Sequence, residues 1–154
     1  MFAKAKEHLD KYGMGVLVSE FDVSSATVGE AAIAVGVTEG EIAKTLSFIV
    51  NEKPILIVVA GDVKIDNSKY KARFRAKAKM IPFESVEELI GHAVGGVCPF
   101  GINEGVEVFL DESLRRYETV YPACGSSNSA VKMTIAQLEE ASLFTEWVDV
   151  CKSI

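Results

Sequence analysis

A lysine lies where a β-strand would carry a hydrophobic residue. In the run from Ile42 to Val50 the side chains alternate between two faces, and Lys44 falls on the same face as Leu46 and Phe48. An ammonium group buried without a partner is costly. Lys44 therefore either extends past the strand end into solvent or meets an anion in a pocket. An anion on a ligand, such as a phosphate, is the sharper interpretation, because the sequence places no acid to pair with it.

A glycine-rich segment is the second candidate for chemistry, Gly95-Gly96-Val97-Cys98-Pro99-Phe100-Gly101. Glycine lets the backbone turn sharply and approach a ligand closely, while Pro99 favours an extended Cys98. Such a loop can direct several N–H groups into one concavity, which suits a phosphate or the oxyanion formed when an ester is attacked. The alternative is an ordinary connection between a helix and a strand.

A polar loop runs from Pro122 to Ser129 and contains Gly125 and Ser126. Its hydroxyl and amide groups are suited to orienting a substrate. The alternative is a polar turn with no ligand.

Groups for conventional catalysis are few. The only histidines are His8 and His92, which excludes a histidine-rich metal site and restricts any Ser-His-Asp triad. Cys98 lies near His92 in the sequence and suggests a thiol nucleophile, although a small buried cysteine is the alternative we favour. No Walker or dinucleotide-binding pattern follows a strand. We expect no metal, no cofactor, and a positioned water rather than a protein nucleophile.

Basic residues are concentrated in one stretch of an otherwise acidic chain. The chain has a net charge of −6, yet residues 64–79 carry seven basic side chains and one acid, Asp66. Such a patch suits the phosphates of a nucleic acid, and Tyr70 and Phe74 within it suit stacking on bases. The alternative is a solvated helix face. The predicted contacts to a nucleic-acid backbone are Lys69, Lys71, Arg73, Arg75, Lys77 and Lys79.

Length and cysteine usage indicate one reduced, intracellular domain. A chain of 154 residues can form one core without disulfides. Its three cysteines are odd in number and show no Cys-x-x-Cys spacing. The N-terminal residues lack the apolar region of a secretory signal, and no apolar run approaches a membrane span in length. We expect a single domain over residues 1–154, in the cytoplasm and with no membrane partner.

Helix and strand signals alternate along the chain without a linker or a repeat. Helices are predicted over residues 2–12 and after Thr27, Ser85 and Thr134, each of which begins a capping-box pattern. Residues 69–80 predict a helix followed by a short strand. The other strands are predicted over residues 15–21, 42–50, 54–60, 106–110, 119–123 and 130–133.

These motifs, in this order, resemble the YbaK-type aminoacyl-tRNA deacylases, which share a superfamily with the editing domain of bacterial prolyl-tRNA synthetases. The resemblance covers nearly the whole chain. The lysine before Thr45-Leu46, combined with the Gly-Gly-x-x-Pro-x-Gly loop, is specific. It implies a single α+β domain with a mixed, strongly curved, barrel-like β-sheet surrounded by helices. The matching stretches are residues 27–32, 41–46, 59–62, 91–101 and 110–114.

The resemblance implies hydrolysis of the ester between an incorrect amino acid and the terminal ribose of a tRNA. Lys44 would hold the phosphate or ribose of the terminal adenosine, and backbone N–H groups of the glycine loop would hold the aminoacyl carbonyl while water attacks. The implied partner is a mischarged tRNA, and an aminoacyl-tRNA synthetase is a second candidate. The implied catalytic residues are Lys44, Gly96, Val97 and Cys98, and the substrate-binding residues are Thr45, Gly95, Pro99, Phe100, Gly101, Gly125 and Ser126.

One loop departs from the cysteinyl-specific members of that family. They resemble Ser-Gly-Gly-Lys-Arg-Gly where residues 123–128 here are Ala-Cys-Gly-Ser-Ser-Asn, and Ala130 replaces their acid. Another small aminoacyl group is therefore at least as well supported as cysteinyl. Two other classes of function stay open: a non-catalytic tRNA- or synthetase-binding module, and a Cys98-dependent hydrolase of a small ester.

Overall fold

A six-stranded mixed sheet forms the centre of the computed structural model, which describes residues 1–154. The α-helices are α1 (Phe2–Asp10), α2 (Val28–Val35), α3 (Asn67–Phe74), α4 (Val86–Ile90) and α5 (Ile135–Ser142). None of these helices has the length and apolar character needed to cross a membrane. The strands are β1 (Val18–Glu20), β2 (Ile42–Val50), β3 (Lys53–Ala60), β4 (Val63–Ile65), β5 (Glu107–Asp111), β6 (Thr119–Pro122), β7 (Ser129–Val131), β8 (Met133–Thr134), β9 (Glu146–Val148) and β10 (Cys151–Ser153).

The long hairpin of β2 and β3 lies in the middle of this sheet, whose strand order is β8-β6-β2-β3-β5-β9. β2 and β3 pair antiparallel, from Ala43 opposite Ala60 to Val50 opposite Lys53. β6, β5 and β9 join the sheet through parallel pairs. Two separate antiparallel pairs, β1 with β7 and β4 with β10, lie outside it. The sheet curls into a half-barrel, so the predicted α+β fold with a mixed, strongly curved sheet is confirmed.

β3 is the most deeply buried strand. Its residues from Leu56 to Ala60 are 0% exposed, as expected of a strand covered on both faces. They belong to one cluster of 31 buried hydrophobic residues. A second cluster has three members, Ala31, Ala32 and Ile42. The chain therefore folds around one main core.

Three helices begin directly after the predicted capping residues. The full reciprocal capping box forms at Thr134. Thr27 accepts the N–H of Glu30 at 3.1 Å, but the Glu30 carboxylate bonds to the threonine hydroxyl instead of the backbone. Ser85 makes no side-chain cap, because it ends a 3-10 turn that leads into α4. The predicted box at Ser85 is therefore wrong, although the helix start is correct.

Several short elements differ from the sequence prediction. Only Val18–Glu20 of the strand predicted over 15–21 is a strand, because Gly15–Leu17 forms a 3-10 turn. The short strand predicted after α3 is reduced to one bridge, between Phe48 and Met80. β4, β9 and β10 were not predicted, since three residues are too few for the alternation of side chains to be recognised.

Gly101 allows the glycine loop to pack against α1, and this contact can be tested. Its φ is +63°, and a Cβ there would lie 2.6 Å from the carbonyl oxygen of Lys4. Gly101→Ala should lower the free energy of unfolding by about 3 kcal/mol, because backbone strain and a backbone clash add. Urea denaturation measures the change.

Gly29→Ala is the matched control. Gly29 lies in α2, and no atom is within 4 Å of the Cβ that the substitution adds. The variant should keep its stability or gain up to about 1 kcal/mol, because alanine has the higher helix propensity. Equal stability of the two variants would contradict the tight contact at Gly101.

Candidate functional site

The outer edge of β2 is paired at both ends and open in the middle. At its start it pairs with β6. Near its end, the N–H of Ile49 donates to the carbonyl of Lys79 (2.9 Å), and Ser47 accepts from the N–H of Ile81 (3.1 Å). Successive residues of a strand direct their N–H and C=O groups to alternate edges. The N–H and C=O groups of Thr45 therefore point into the gap between β6 and the segment that contains Lys79 and Ile81.

A cavity of about 380 Å³ lies at this open edge. All residues from Ile42 to Ser47 line it, and consecutive residues can share a cavity in this way only along the edge of a strand. Of its 22 lining residues 15 are hydrophobic, and Lys44 is the only charged one. The hydroxyl of Thr45 is buried without a hydrogen-bond partner. Nowhere in the structure do three or more His, Cys, Asp or Glu residues lie together as a potential metal site.

The ammonium group of Lys44 is half-buried and is bonded to a backbone carbonyl. Its Nζ donates to the oxygen of Val63 in β4 at 2.5 Å. Burial lowers the pKa of Lys44 from its usual 10.5, and the nearby Cys151 and Asp62 oppose this shift only in part. An ammonium has three donors. One is directed at Val63, and the protein makes no further hydrogen bond to the other two.

The glycine loop forms one wall of the cavity. Gly95 and Val97 line it, and their N–H groups make no hydrogen bond to another protein group. The N–H of Gly96 instead donates to the carbonyl of Ala93 (3.1 Å) and closes a turn. A Cβ on Gly96 would lie 2.5 Å from the backbone nitrogen of Ser126. The two predicted loops therefore touch through backbone atoms.

The other predicted site residues lie behind this wall. Ser126 reaches the cavity indirectly, since its hydroxyl donates at 2.7 Å to that of Ser129, a lining residue. Gly101 packs against α1. The structure thus brings Lys44, Thr45, Gly95 and Val97 together. The predicted residues outside the lining are Gly96, Cys98, Pro99, Phe100, Gly101, Gly125 and Ser126.

Cys98 and His92 are close together but buried in the core. Sγ of Cys98 lies 3.6 Å from Nε2 of His92, and both residues are 0% exposed. That Nε2 is 2.6 Å from the carbonyl oxygen of Phe100. Burial raises the pKa of Cys98 to about 12 and lowers the pKa of His92, so both groups are neutral near pH 7. Burial therefore argues against Cys98 as a thiolate nucleophile.

The basic stretch contains both paired and unpaired side chains. Lys69 bonds to Asp149 at 3.1 Å, and Arg73 forms an ion pair with Glu146. The rest of the predicted tRNA-backbone set is exposed and makes no ion pair. These unpaired residues are Lys71, Arg75, Lys77 and Lys79. Two of them, Lys71 and Lys77, line a polar cleft with Asn67, Ser68 and Ala78, here called the basic cleft.

Tyr70 and Phe74 belong to the core rather than to the basic surface. Tyr70 is 0% exposed, and its ring centroid lies 5.2 Å from that of Phe48 and 4.8 Å from that of Phe74. Phe74 packs edge-on against Phe109. The predicted stacking of Tyr70 on bases is therefore wrong, because α3 directs these rings inward and its basic side chains outward.

Exposed apolar side chains surround the mouth of the cavity, and the sequence analysis did not single them out. Met80, Phe83 and Val94 are 57%, 75% and 48% exposed, and all three line the cavity. We call them the apolar rim. These three residues are apolar and come from separate segments of the chain, so no sequence motif indicates that they share a surface.

The comparison with known proteins agrees with this geometry. Residues 23–141 match the family model of the aminoacyl-tRNA editing domain. The chain belongs to this family. It is 49% identical to the uncharacterized protein YwhH of Bacillus subtilis over 96% of this chain and 94% of that one. It is 25% identical to the proline–tRNA ligase of Bacillus cytotoxicus over 80% of this chain, which is only 22% of the ligase.

Two solved structures share the fold. One is provisionally described as a trans-editing enzyme for prolyl-tRNA synthetase; it is 31% identical, with a TM-score of 0.88 over 99% of this chain and 97% of that one. The other, hypothetical protein APE2540, is 27% identical, with a TM-score of 0.86 over 97% of this chain and 99% of that one. The family resemblance inferred from the motifs is thus confirmed.

The burial of the cysteines can be tested with a thiol reagent. Cys98, Cys124 and Cys151 are all buried, and burial raises the pKa of each to about 12. At pH 8 the folded protein should react at least about a thousandfold more slowly than a small thiol, because the thiolate is the reactive form. Three thiols should react at once in denaturant. A fast-reacting thiol in the folded protein would contradict this prediction.

Proposed function

We propose that the protein is a trans-editing hydrolase that removes a wrong amino acid from mischarged tRNA. Family membership and the likeness to a provisional trans-editing enzyme support this proposal. A tRNA substrate would place the activity in the cytoplasm. A synthetase is the second candidate partner, and the similarity to proline–tRNA ligases favours prolyl-tRNA synthetase.

The observation that carries the proposal is a cavity lined by one charged residue, Lys44, and by no group that could activate a hydroxyl as a nucleophile. No acid, histidine or cysteine lines it. Ester hydrolysis in such a place requires a water positioned by the protein and the substrate. Lys44 would hold the phosphate or ribose of the terminal adenosine with its two remaining donors. The unpaired N–H groups of Gly95 and Val97 would donate to the aminoacyl carbonyl.

In the proposed step, the oxygen of water attacks the carbonyl carbon of the ester. Negative charge develops on the carbonyl oxygen, where backbone N–H donors stabilise it; one such donor is worth about 10²–10³ in rate in other hydrolases. The bond between the carbonyl carbon and the ribose oxygen then breaks. The ribose oxygen takes up the proton that the attacking water has lost, which releases the free amino acid and the tRNA hydroxyl. Substrate groups are the candidates for activating the water, since the cavity lining offers no general base.

The cavity favours a small, neutral aminoacyl group. A charged aminoacyl side chain would be buried among apolar residues with no opposite charge besides the ammonium already used for the nucleotide. The loop that departs from the cysteinyl-specific sequences contributes Ala123 and Ser129 to the lining, neither of which is charged. We therefore do not restrict the proposal to cysteinyl esters.

The decisive experiment is a hydrolysis assay on a panel of mischarged tRNAs. The first substrates are alanyl-, cysteinyl-, seryl- and threonyl-esters of the tRNA for proline. At least one ester should be hydrolysed faster than its spontaneous rate. A non-catalytic binding module would bind the same tRNAs without accelerating hydrolysis of any of them, and that result would refute the proposal.

Lys44→Met should abolish activity without loss of stability. Removal of the ammonium should lower kcat/KM by about 10²-fold or more, because the substrate loses its positioning contact. Burial lowers the pKa of Lys44, which means that folding disfavours its charged form. The variant should therefore melt at pH 7 at the same temperature as the wild type or higher. This difference should shrink as the pH rises through the lowered pKa of folded Lys44, and it should vanish above 10.5, where the unfolded chain also loses the charge. A lower melting temperature would indicate a structural ammonium.

Cys98→Ala is the complementary variant. The side chain is buried behind the glycine loop and stays neutral, so its removal should leave kcat/KM within about threefold of the wild type once the folded fraction is corrected for. Loss by several orders of magnitude would support a covalent mechanism instead.

A further inference from the structure

One segment of the chain links the basic cleft to the cavity. The exposed residues of 77–83, which leave out the buried Ile81, together with Lys71 form what we call the 77–83 surface. At one end Lys71 and Lys77 line the basic cleft, and at the other Met80 and Phe83 line the cavity. Between residues 77 and 83 the chain spans at most about 20 Å.

The apolar end of this surface is held on a fixed backbone. Ile81, 4% exposed, and Val86, 3% exposed, anchor the segment in the core on either side of Phe83. Phe83 begins a 3-10 turn that is closed by the N–H of Ser85 donating to Pro82 at 2.8 Å. Its ring is nevertheless 75% exposed. Because the backbone that carries the ring is already held, stacking on a flat partner orders only the side chain itself.

The charged end of this surface belongs to the unpaired part of the basic stretch. Lys71 and Lys77, like Arg75 and Lys79, make no ion pair, whereas Lys69 and Arg73 are paired with acids. Unpaired cations next to an exposed aromatic ring are the combination that binds single-stranded nucleic acid, because the ring stacks on a base and the cations contact phosphates. The charge of the surface is therefore complementary to an RNA strand.

We infer that the 77–83 surface binds the single-stranded 3′ end of the tRNA. Phe83 stacks on a base at the cavity mouth, and Lys71 and Lys77 contact a phosphate farther from the ester. This inference rests on the proposed function, because the aminoacylated ribose must enter the cavity while the strand leaves it along the surface. It gives a binding role to Phe83, a residue with no catalytic group.

The stacking contact is tested by the affinity for uncharged tRNA, measured by fluorescence anisotropy. Phe83→Ala should raise Kd about tenfold, Phe83→Trp should restore affinity, and Phe83→Leu should not, because only an aromatic ring stacks on a base. Val16→Ala, at a site 89% exposed and outside the surface, is the control and should bind as the wild type does. On tRNA trimmed of its unpaired 3′ nucleotides, wild type and Phe83→Ala should bind equally weakly.

The phosphate contact is tested by the salt dependence of the same binding. Replacement of both Lys71 and Lys77 by alanine should reduce the slope of log Kd against log salt by about 1.4, because each phosphate contact on a single strand contributes about 0.7. The matched control replaces Lys69 and Arg73 of α3 by alanine, which removes the same charge from the basic stretch but takes it from ion-paired side chains. This control should reduce the slope by less than half of the reduction expected for the Lys71 and Lys77 double variant.

These outcomes separate the inference from the proposed function. Failure of the wild type to hydrolyse any ester would refute the deacylase, yet the binding assays would still report on the surface. Unchanged affinity in Phe83→Ala, equal affinity for trimmed and intact tRNA, or equal salt slopes for the two double variants would overturn the inference. If Phe83→Ala lost association with a synthetase while its affinity for RNA stayed unchanged, the surface would belong to a protein partner. That result would overturn the inference as well.

Discussion

Buried backbone N–H and C=O groups need hydrogen-bond partners, and β2 has them at both ends of its outer edge but not in between. β6 leaves the strand after Pro122, and the segment around Met80 joins it only near Phe48. The backbone groups of Thr45 are left without a strand to pair with. Lys44, the glycine loop and the apolar cavity all lie around this interval. The place where the sheet is incomplete is thus the place where the fold can hold a polar substrate in an apolar environment.

How much of this the sequence predicts depends on the length of each element. β2 has the predicted bounds, because nine residues show the alternation clearly. The inward lysine could be recognised for the same reason. Its acceptor could not, since Val63 lies in a three-residue strand whose pairing with β10 is long-range. The cavity wall was likewise hidden, because apolar side chains from separate segments carry no local signal of a shared surface.

Burial is the second property that local patterns do not show. Cys98 and His92 are close in sequence and in space, and their types suit nucleophilic catalysis. What decides against it is desolvation, which keeps the thiol protonated and the imidazole neutral. Tyr70 illustrates the same point: its position among lysines suggests an exposed ring, whereas the helix directs it against Phe48. In both cases the tertiary environment, rather than residue type, determines the role.

The contact between Gly96 and the backbone of Gly125 and Ser126 has an evolutionary consequence. No side chain lies between the two loops, and there is no room for one. A side chain at Gly96 would force the two loops apart, so this contact cannot be adjusted gradually by substitution. Proteins that diverge from a common ancestor with this fold would have to acquire new substrate preferences elsewhere, at side chains such as Ala31, Tyr121 or the apolar rim. The backbone contact at Gly96 would be conserved, while the side chains that line the rest of the cavity could vary.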